Sequence, residues 1–423
     1  MLLIKNGRVI DTFTKRDGNY DILINGEKIV KISENIKVED NTEVIDAEGC
    51  IVSPGLIDVH VHFRDPGFLY KEDILTGAEA AAKGGFTTVI CMANTKPVVD
   101  NPSTLEYILD KAKRTKIRVL QVATITKRME GKELTDMREL KAAGAVGFSD
   151  DGKPIMNAKI AFEAMKIAKE LNVPLSFHEE DPTLIYDNGI NMGEIAKTFN
   201  IIGSPHEAEE VMVARDVILA MSTGAKINIQ HISSKTSIEI IKWARKMGAD
   251  ITAEVTPHHF SLTQEALLKK GSNAKMNPPL RLDIDKKAIL EALHDNVLDI
   301  IATDHAPHTK SEKEGPIQNA PSGIIGLETS LALSVTNLVK KGHLNLMEML
   351  EKMTINPAKL YGLNLGKIEE GATADITIFN VDEEFTVGKF FSKSLNSPFI
   401  GDKLYGKVKN TIYKGEVIYV DGN

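Results

Sequence analysis

The sequence predicts an α/β fold: a (β/α)8 TIM barrel carrying a small composite β-sandwich domain built from both termini. Three observations predict it. The middle of the chain alternates short apolar runs with helical stretches, the signature of βα units around a parallel sheet. Eight such runs can be counted, the number such a barrel needs. The first and last fifty residues instead carry short β runs and hairpin turns, and chain ends commonly meet in space.

Taken in order, the first β runs fall at 2–4, 21–24 and 28–32. Asn6-Gly7 and Asn25-Gly26 punctuate them, dipeptides that readily take the positive φ of tight hairpin turns. Barrel strands are expected at 57–62, 87–92, 117–123, 145–149, 174–178, 226–231, 250–255 and 298–303. Helices are expected at 75–83, 102–114, 158–171, 206–221, 237–247 and 286–294. Short β runs return at 377–379, 408–413 and 416–420, with Lys414-Gly415 between the last two. The expected division is 1–53 with 366–423 for the small domain and 54–365 for the barrel.

A chain of 423 residues with 42% hydrophobic content supports a large core. No apolar run approaches the roughly 20 residues that cross a bilayer. Residues 1–11 read as a charged strand rather than a signal peptide, so the cytoplasm is the expected location. The net charge of −8 is spread over mixed-sign segments, which argues against nucleic acid or an anionic membrane as partner. The two cysteines, Cys50 and Cys91, lie far apart in apolar surroundings and read as core thiols. A disulfide framework and a thiolate zinc site are thereby excluded.

A barrel of this kind carries its reactive groups at the C-terminal ends of its strands. His60 and His62 end the first strand, Asp150 and Asp151 follow the fourth, His178 ends the fifth, His231 the sixth, and Asp304 with His305 follows the eighth. Alternate strand residues share a face, so His60 and His62 can point at one metal. That pair alone is a weak signal. Six imidazoles and carboxylates, His60, His62, Asp151, His178, His231 and Asp304, at the ends of five strands make a strong one.

Imidazole and carboxylate without thiolate suit Zn²⁺, with Mn²⁺, Co²⁺ and Fe²⁺ also compatible. One or two ions per chain are expected. A second would need a bridging anion, which Asp151 can supply, and Asp304 is the candidate general base. Tandem His258 and His259 tempt a further assignment, but neighbouring residues of a strand face opposite ways, so they are read as structural or supporting.

Residues 54–67, Pro54-Gly55-Leu56-Ile57-Asp58-Val59-His60-Val61-His62-Phe63-Arg64-Asp65-Pro66-Gly67, resemble the first metal strand of the amidohydrolase superfamily in its dihydroorotase form. Glu254-Val255-Thr256-Pro257-His258-His259, Lys275-Met276-Asn277-Pro278-Pro279-Leu280-Arg281 and Thr303-Asp304-His305-Ala306-Pro307-His308 are similar to the same family, and the likeness covers nearly the whole chain. The resemblance implies metal ligands at His60, His62, His178, His231 and Asp304, with Asp151 bridging. It implies reversible, zinc-dependent interconversion of (S)-dihydroorotate and N-carbamoyl-L-aspartate in pyrimidine (UMP) biosynthesis. It also leaves room for association with aspartate transcarbamoylase.

Dihydroorotate carries a ring amide and a free carboxylate, and a buried carboxylate calls for a guanidinium. Arg64, two residues beyond His62, can clamp it bidentately, and Asn94 can add an amide donor. The resemblance assigns Arg64, Asn94 and His308 to the carboxylate, and Asn277 with the backbone at Gly323 to the ring. The bland reading of Arg64 is a rim salt bridge with Asp65 or Glu72, and that of Asn94 a turn residue.

Two departures matter. Many relatives bridge their metals with a carboxylated lysine on the fourth strand, whereas Gly147-Phe148-Ser149-Asp150-Asp151-Gly152 has none, and Lys153 beyond it is expected to face solvent. Ala93 stands where proline is frequent in the family. The charged stretch 306–320 is long enough for a lid, with a solvated connection as the alternative. Two other functions compete: a hydantoinase or allantoinase, which needs no carboxylate clamp, and an inactive scaffold, which would have lost ligands.

Overall fold

The computed structural model describes residues 1–422 as a mixed α/β chain. Strands Leu56–Val61 and Phe86–Cys91 are buried at every position, the pattern of parallel strands covered on both faces. They pair in parallel with each other, and Phe86–Cys91 also pairs in parallel with Arg118–Gln121. A second parallel sheet runs through Leu175–Phe177, Ile227–Ile229, Ile251–Val255 and Ile300–Ile301. Single parallel bridges join the two sheets, from Phe148 to Ala123 and Leu175, and from Val61 to His305.

Six of the eight expected barrel strands are shorter than their sequence suggests, two of them sharply so. Residues 145–149 form only the bridges at Phe148, although Val146 donates to the Gln121 carbonyl and Phe148 to that of Pro174. Gly144 enters this stretch at φ 115°, and a Cβ on Gly147 would stand 3.0 Å from the Tyr361 ring. A tight turn and a close backbone approach thus replace a regular pleat.

The last strand is cut to Ile300–Ile301 because the Thr303 N–H leaves the ladder for the Asp58 carboxylate, 3.2 Å from both oxygens. Asp58 also accepts from the His60 N–H at 3.0 Å, so one buried carboxylate fixes the ends of two strands. Burial pushes its carboxyl up to about 7 despite these bonds.

Helices Ile74–Lys83, Pro102–Ala112, Ala158–Leu171, Glu207–Thr223, Lys235–Lys246 and Asp283–His294 lie close to the expected bounds. Their starts are set by local chemistry: Asp73 forms a capping box with Thr76, and Asn101, Asn157 and Ser234 accept first-turn N–H groups. The last four pack side by side in chain order, each burying one face. No helix among the described residues is long and apolar enough to cross a membrane.

The chain ends combine. One sheet of six strands runs Glu416–Val420, Lys403–Tyr413, Ile376–Thr386, Ile51–Pro54, Arg8–Asp11, Arg16–Asn19, mixing both termini. A four-stranded sheet of residues 2–46 shares its apolar core, through Ile4, Ile22, Val52, Ile376 and Ile412. Residues 391–397 leave this sheet region: Ser392 bonds Glu72, Ser394 bonds the Lys71 carbonyl, and Asn396 bonds Ala306 and Gly323. Both cysteines are buried and free, as expected.

Phe63, between His62 and Arg64, lies flat over Gly77, where a Cβ would stand 2.4 Å from two ring carbons. Gly77→Ala therefore forces the buried ring out. Urea unfolding should show a loss of roughly 1–3 kcal/mol with an unchanged m value, and activity should fall with it.

Candidate metal centre and active site

Each expected ligand leaves the sheets at the same end. His60 sits within strand Leu56–Val61 with His62 just beyond it, His178 follows Leu175–Phe177, and His231 follows Ile227–Ile229. Asp151 follows the Phe148 bridge, and Asp304 follows Ile300–Ile301. His231 and Asp304 take φ values of 35° and 48°, and Arg64 takes 60°. Non-glycine residues rarely adopt that region, so these three backbone positions are held there by their surroundings.

These side chains form two groups of possible ligands, His60 with His62 and Asp151, and Asp151 with His178 and His231. In each group the donor atoms lie within 4.8 Å of one another. Asp151 belongs to both. Its Oδ1 is 3.3 Å from His60 Nε2 and 3.7 Å from His178 Nδ1, while its Oδ2 is 3.4 Å from His62 Nε2. Asp304 Oδ1 stands against the first pair, 3.0 Å from His62 Nε2 and 3.5 Å from His60 Nε2.

The donor set fits a cation. His60 Nε2 and Asp151 Oδ1 are buried and have no hydrogen-bond partner among the described residues, an arrangement that costs free energy unless a cation satisfies both. Three of the four imidazoles also place an acceptor on the ring nitrogen that faces away from Asp151. Glu254 lies 3.1 Å from His60 Nδ1, Asn94 Oδ1 2.9 Å from His62 Nδ1, and Glu180 3.0 Å from His178 Nε2. Each ring can donate outward and turn its lone pair inward, the tautomer a metal requires.

A family model described as Dihydro-orotase-like matches residues 49–237. Over its whole length of 423 residues the chain is 63% identical to a dihydroorotase of Clostridium acetobutylicum, covering all of both chains. It is 58% identical to one of Clostridioides difficile, covering 99% of this chain and 100% of that one. The chain belongs to the dihydroorotase family. Among solved structures it is similar to an L-hydantoinase (dihydropyrimidinase) of Arthrobacter aurescens. The TM-score is 0.89 and the identity 27%, over all of this chain and 96% of that one. A D-hydantoinase structure gives a TM-score of 0.87 at 25% identity, over 99% and 95%. This dihydroorotase-family chain is therefore a cyclic amidohydrolase of a metal-dependent kind.

The cluster's charges act on one another across a few ångströms. Burial works against a charged His60, yet Asp151 and Asp304 hold it well above the ordinary histidine value. Burial likewise opposes His178, which Asp151 and Glu180 raise to about 10. Burial and the charges of His178 and His60 push His231 well below its usual value. Burial would raise the Asp151 carboxyl, but His60 and His178 bring it well below the ordinary range. Protons and a metal compete for the same lone pairs.

Beside the cluster lies a cavity of about 190 Å³ lined by Arg64, Asn94, Asn277, His308 and Gly323 together with the ligands. All five expected substrate contacts meet there. Two hollows of 640 and 620 Å³ lie elsewhere, by the terminal strands, and hold no such donor set. The bland reading of Arg64 does not hold: Asp65 pairs with Lys111 and Tyr107, and Glu72 bonds Thr76 and Ser392. Among the described residues Arg64 forms no ion pair, and its guanidinium meets only the Pro307 carbonyl and His308. Asn94 does more than expected, since its Nδ2 donates to the carbonyl and the Oδ2 of Asp151 at 3.2 Å each. Asn277 Nδ2 is 3.3 Å from His178 Nε2, and Gly323 at φ 124° leaves no room for a Cβ beside Ala306.

His258 and His259 need a different account from the one strand alternation gives. They lie in a short helix, Pro257–Ser261, capped by Thr256, with His259 bonded to Thr256 and to the Pro278 carbonyl. His259 thus braces the residue next to Asn277. His305 does not reach Asp304; it accepts from the Gly326 N–H, with Glu72 3.7 Å from its other nitrogen. Asp150 is a brace too, accepting from the N–H groups of Ile125 and Thr126. Lys153 is exposed, as expected.

Glu254, Glu180 and Asn396 were not singled out from sequence. Strand alternation held a signal for two of them: Glu180 is two residues from His178, and Glu254 comes one residue before its strand ends. Glu254 is the sharpest test of the supporting set. Glu254→Gln should weaken metal retention roughly 10–100-fold in a competition titration against a chelator, with little change in the circular dichroism spectrum.

Proposed function

We propose that this dihydroorotase-family chain catalyses the reversible hydrolysis of (S)-dihydroorotate to N-carbamoyl-L-aspartate, using zinc, in pyrimidine (UMP) biosynthesis. The observation that carries this reading is the unpaired Arg64 guanidinium at one wall of a small cavity whose other wall is the histidine–aspartate cluster. A substrate bearing both a scissile amide and a carboxylate suits that pairing. The names of the 63% and 58% identical relatives support it, and a hydantoin has no carboxylate for Arg64.

His60, His62, His178, His231 and the shared Asp151 would hold the metal, with Asp304 beside them. When bound, the metal supplies Lewis acidity that makes water acidic and polarises a carbonyl. Asp304 takes the proton of the attacking water and returns it to the ring nitrogen as the C–N bond breaks. In the synthetic direction it removes a proton from the carbamoyl nitrogen. Arg64 and His308 hold the carboxylate, and Asn94 adds a donor by exchanging one of its bonds to Asp151. Asn277 and the backbone at Gly323 face the ring.

The same reading extends to architecture. The pairings within the two parallel sheets and the bridges at Phe148 and His305 support a closed ring of eight strands, a (β/α)8 barrel over 54–365. The two terminal sheets with their common core support a β-sandwich domain of 1–53 and 366–423.

Purified protein should turn over dihydroorotate faster than hydantoin or allantoin, and lose that turnover when stripped of metal. Preference for hydantoin would overturn the substrate, and metal analysis without zinc would overturn the cofactor. Arg64→Ala should lower kcat/KM for dihydroorotate roughly 10²–10³-fold while sparing any residual hydantoin turnover, because the lost contact is to a desolvated carboxylate.

A further inference from the structure

Lys71 lies outside the family-like stretches and outside the metal cluster, yet its side chain is only 13% exposed. Its Nζ is 3.2 Å from His308 Nδ1 and 2.8 Å from Glu312 Oε1. The neighbouring backbone is fixed, with the Lys71 N–H on the Phe68 carbonyl and its own carbonyl accepting from Ser394 Oγ at 2.8 Å. His308 is fixed as well, its N–H donating to Asn396 Oδ1 at 3.0 Å. The contact between the two side chains is therefore held from both sides.

An ammonium has only donors, and Lys71 Nζ stands closer to His308 Nδ1 than Glu312 Oε2 does at 3.8 Å, so Nδ1 is placed to accept. A neutral imidazole has one hydrogen, which then sits on Nε2. Burial and the charges of Arg64, Lys71 and Lys313 keep the ring neutral, with a value near 2. Nε2 lies 3.5 Å from an Arg64 guanidinium nitrogen, itself only a donor. Neither can accept from the other, so in this tautomer both are donors on the cavity wall, the ring also lying against the Ser322 backbone, and the pair suits an anion.

We propose that Lys71 is a positioning residue of this pocket, one that locks His308 in its Nε2–H tautomer and so keeps two donors, His308 and Arg64, turned toward the substrate carboxylate. Without Lys71 the hydrogen can move to Nδ1. Nε2 then accepts from Arg64, and one internal bond withdraws both donors at once. The identity of the anion rests on the dihydroorotate reading; the tautomer does not.

A purely structural role for Lys71 would act through Glu312, which caps the short helix Lys310–Lys313. Three metal-loaded proteins separate the cases: wild type, Lys71→Met and Glu312→Gln. Long-range ¹H–¹⁵N correlation spectra of the histidines should show His308 as the Nε2–H tautomer in wild type and Glu312→Gln, and as Nδ1–H or a mixture in Lys71→Met. The KM for dihydroorotate should rise roughly tenfold in Lys71→Met with kcat within about twofold, and Lys71→Arg should restore most of it. An Nδ1–H ring in wild type, or an unchanged tautomer in Lys71→Met, would overturn the proposal. So would equal KM effects in Lys71→Met and Glu312→Gln. The spectra need no substrate, so a wild type that ignores dihydroorotate would sink the substrate reading alone.

Discussion

One carboxylate organises this molecule. Asp151 Oδ1 stands 3.3, 3.7 and 3.9 Å from His60, His178 and His231, its Oδ2 stands 3.4 Å from His62, and among the described residues no other carboxylate pairs with all four. A buried anion among imidazoles is tolerable only if its charge is answered, and the site answers it by geometry. The chain reaches Asp151 through a turn rather than a full strand, which is why regular pairing fails at 145–149. Asn94 then ties the Asp151 backbone and side chain to His62 in one step.

Around that centre the fold supplies two kinds of support. Glu254, Glu180 and Asn94 orient the rings from outside, and Asp58 pins the strand ends that carry His60 and Asp304. On the cavity side the C-terminal segment reaches in, with Asn396 holding His308, Ala306 and Gly323 together. Lys313 is buried beneath them and donates to the carbonyls of Pro321 and Gly323, so the charged 306–320 stretch is anchored to the body by its own lysine. Burial, with the charge of Lys275, pulls that lysine down to about 7.

The clustering of the candidate ligands was legible because alternation along a strand and the position of strand ends are local properties of sequence. So were the helices, whose caps are written within a few residues. Contacts between distant segments were not legible. Asn396 lies 88 residues from His308, and Lys71 lies 237 residues from it, so no spacing rule connects them. His258 and His259 show the opposite failure: His259 is a supporting residue through its own bonds to Thr256 and Pro278, while alternation, the rule that suggested a supporting role for both, does not apply inside a helical turn.

That Asp151 is shared between two metal positions is a proposal the candidate ligand groups support. Anomalous diffraction from crystals of the zinc-loaded protein tests it most directly. The account predicts density on both sides of the Asp151 carboxylate, one peak with His60 and His62 and the other with His178 and His231. Zinc bound without contact to Asp151, or bound away from these four histidines, would contradict it.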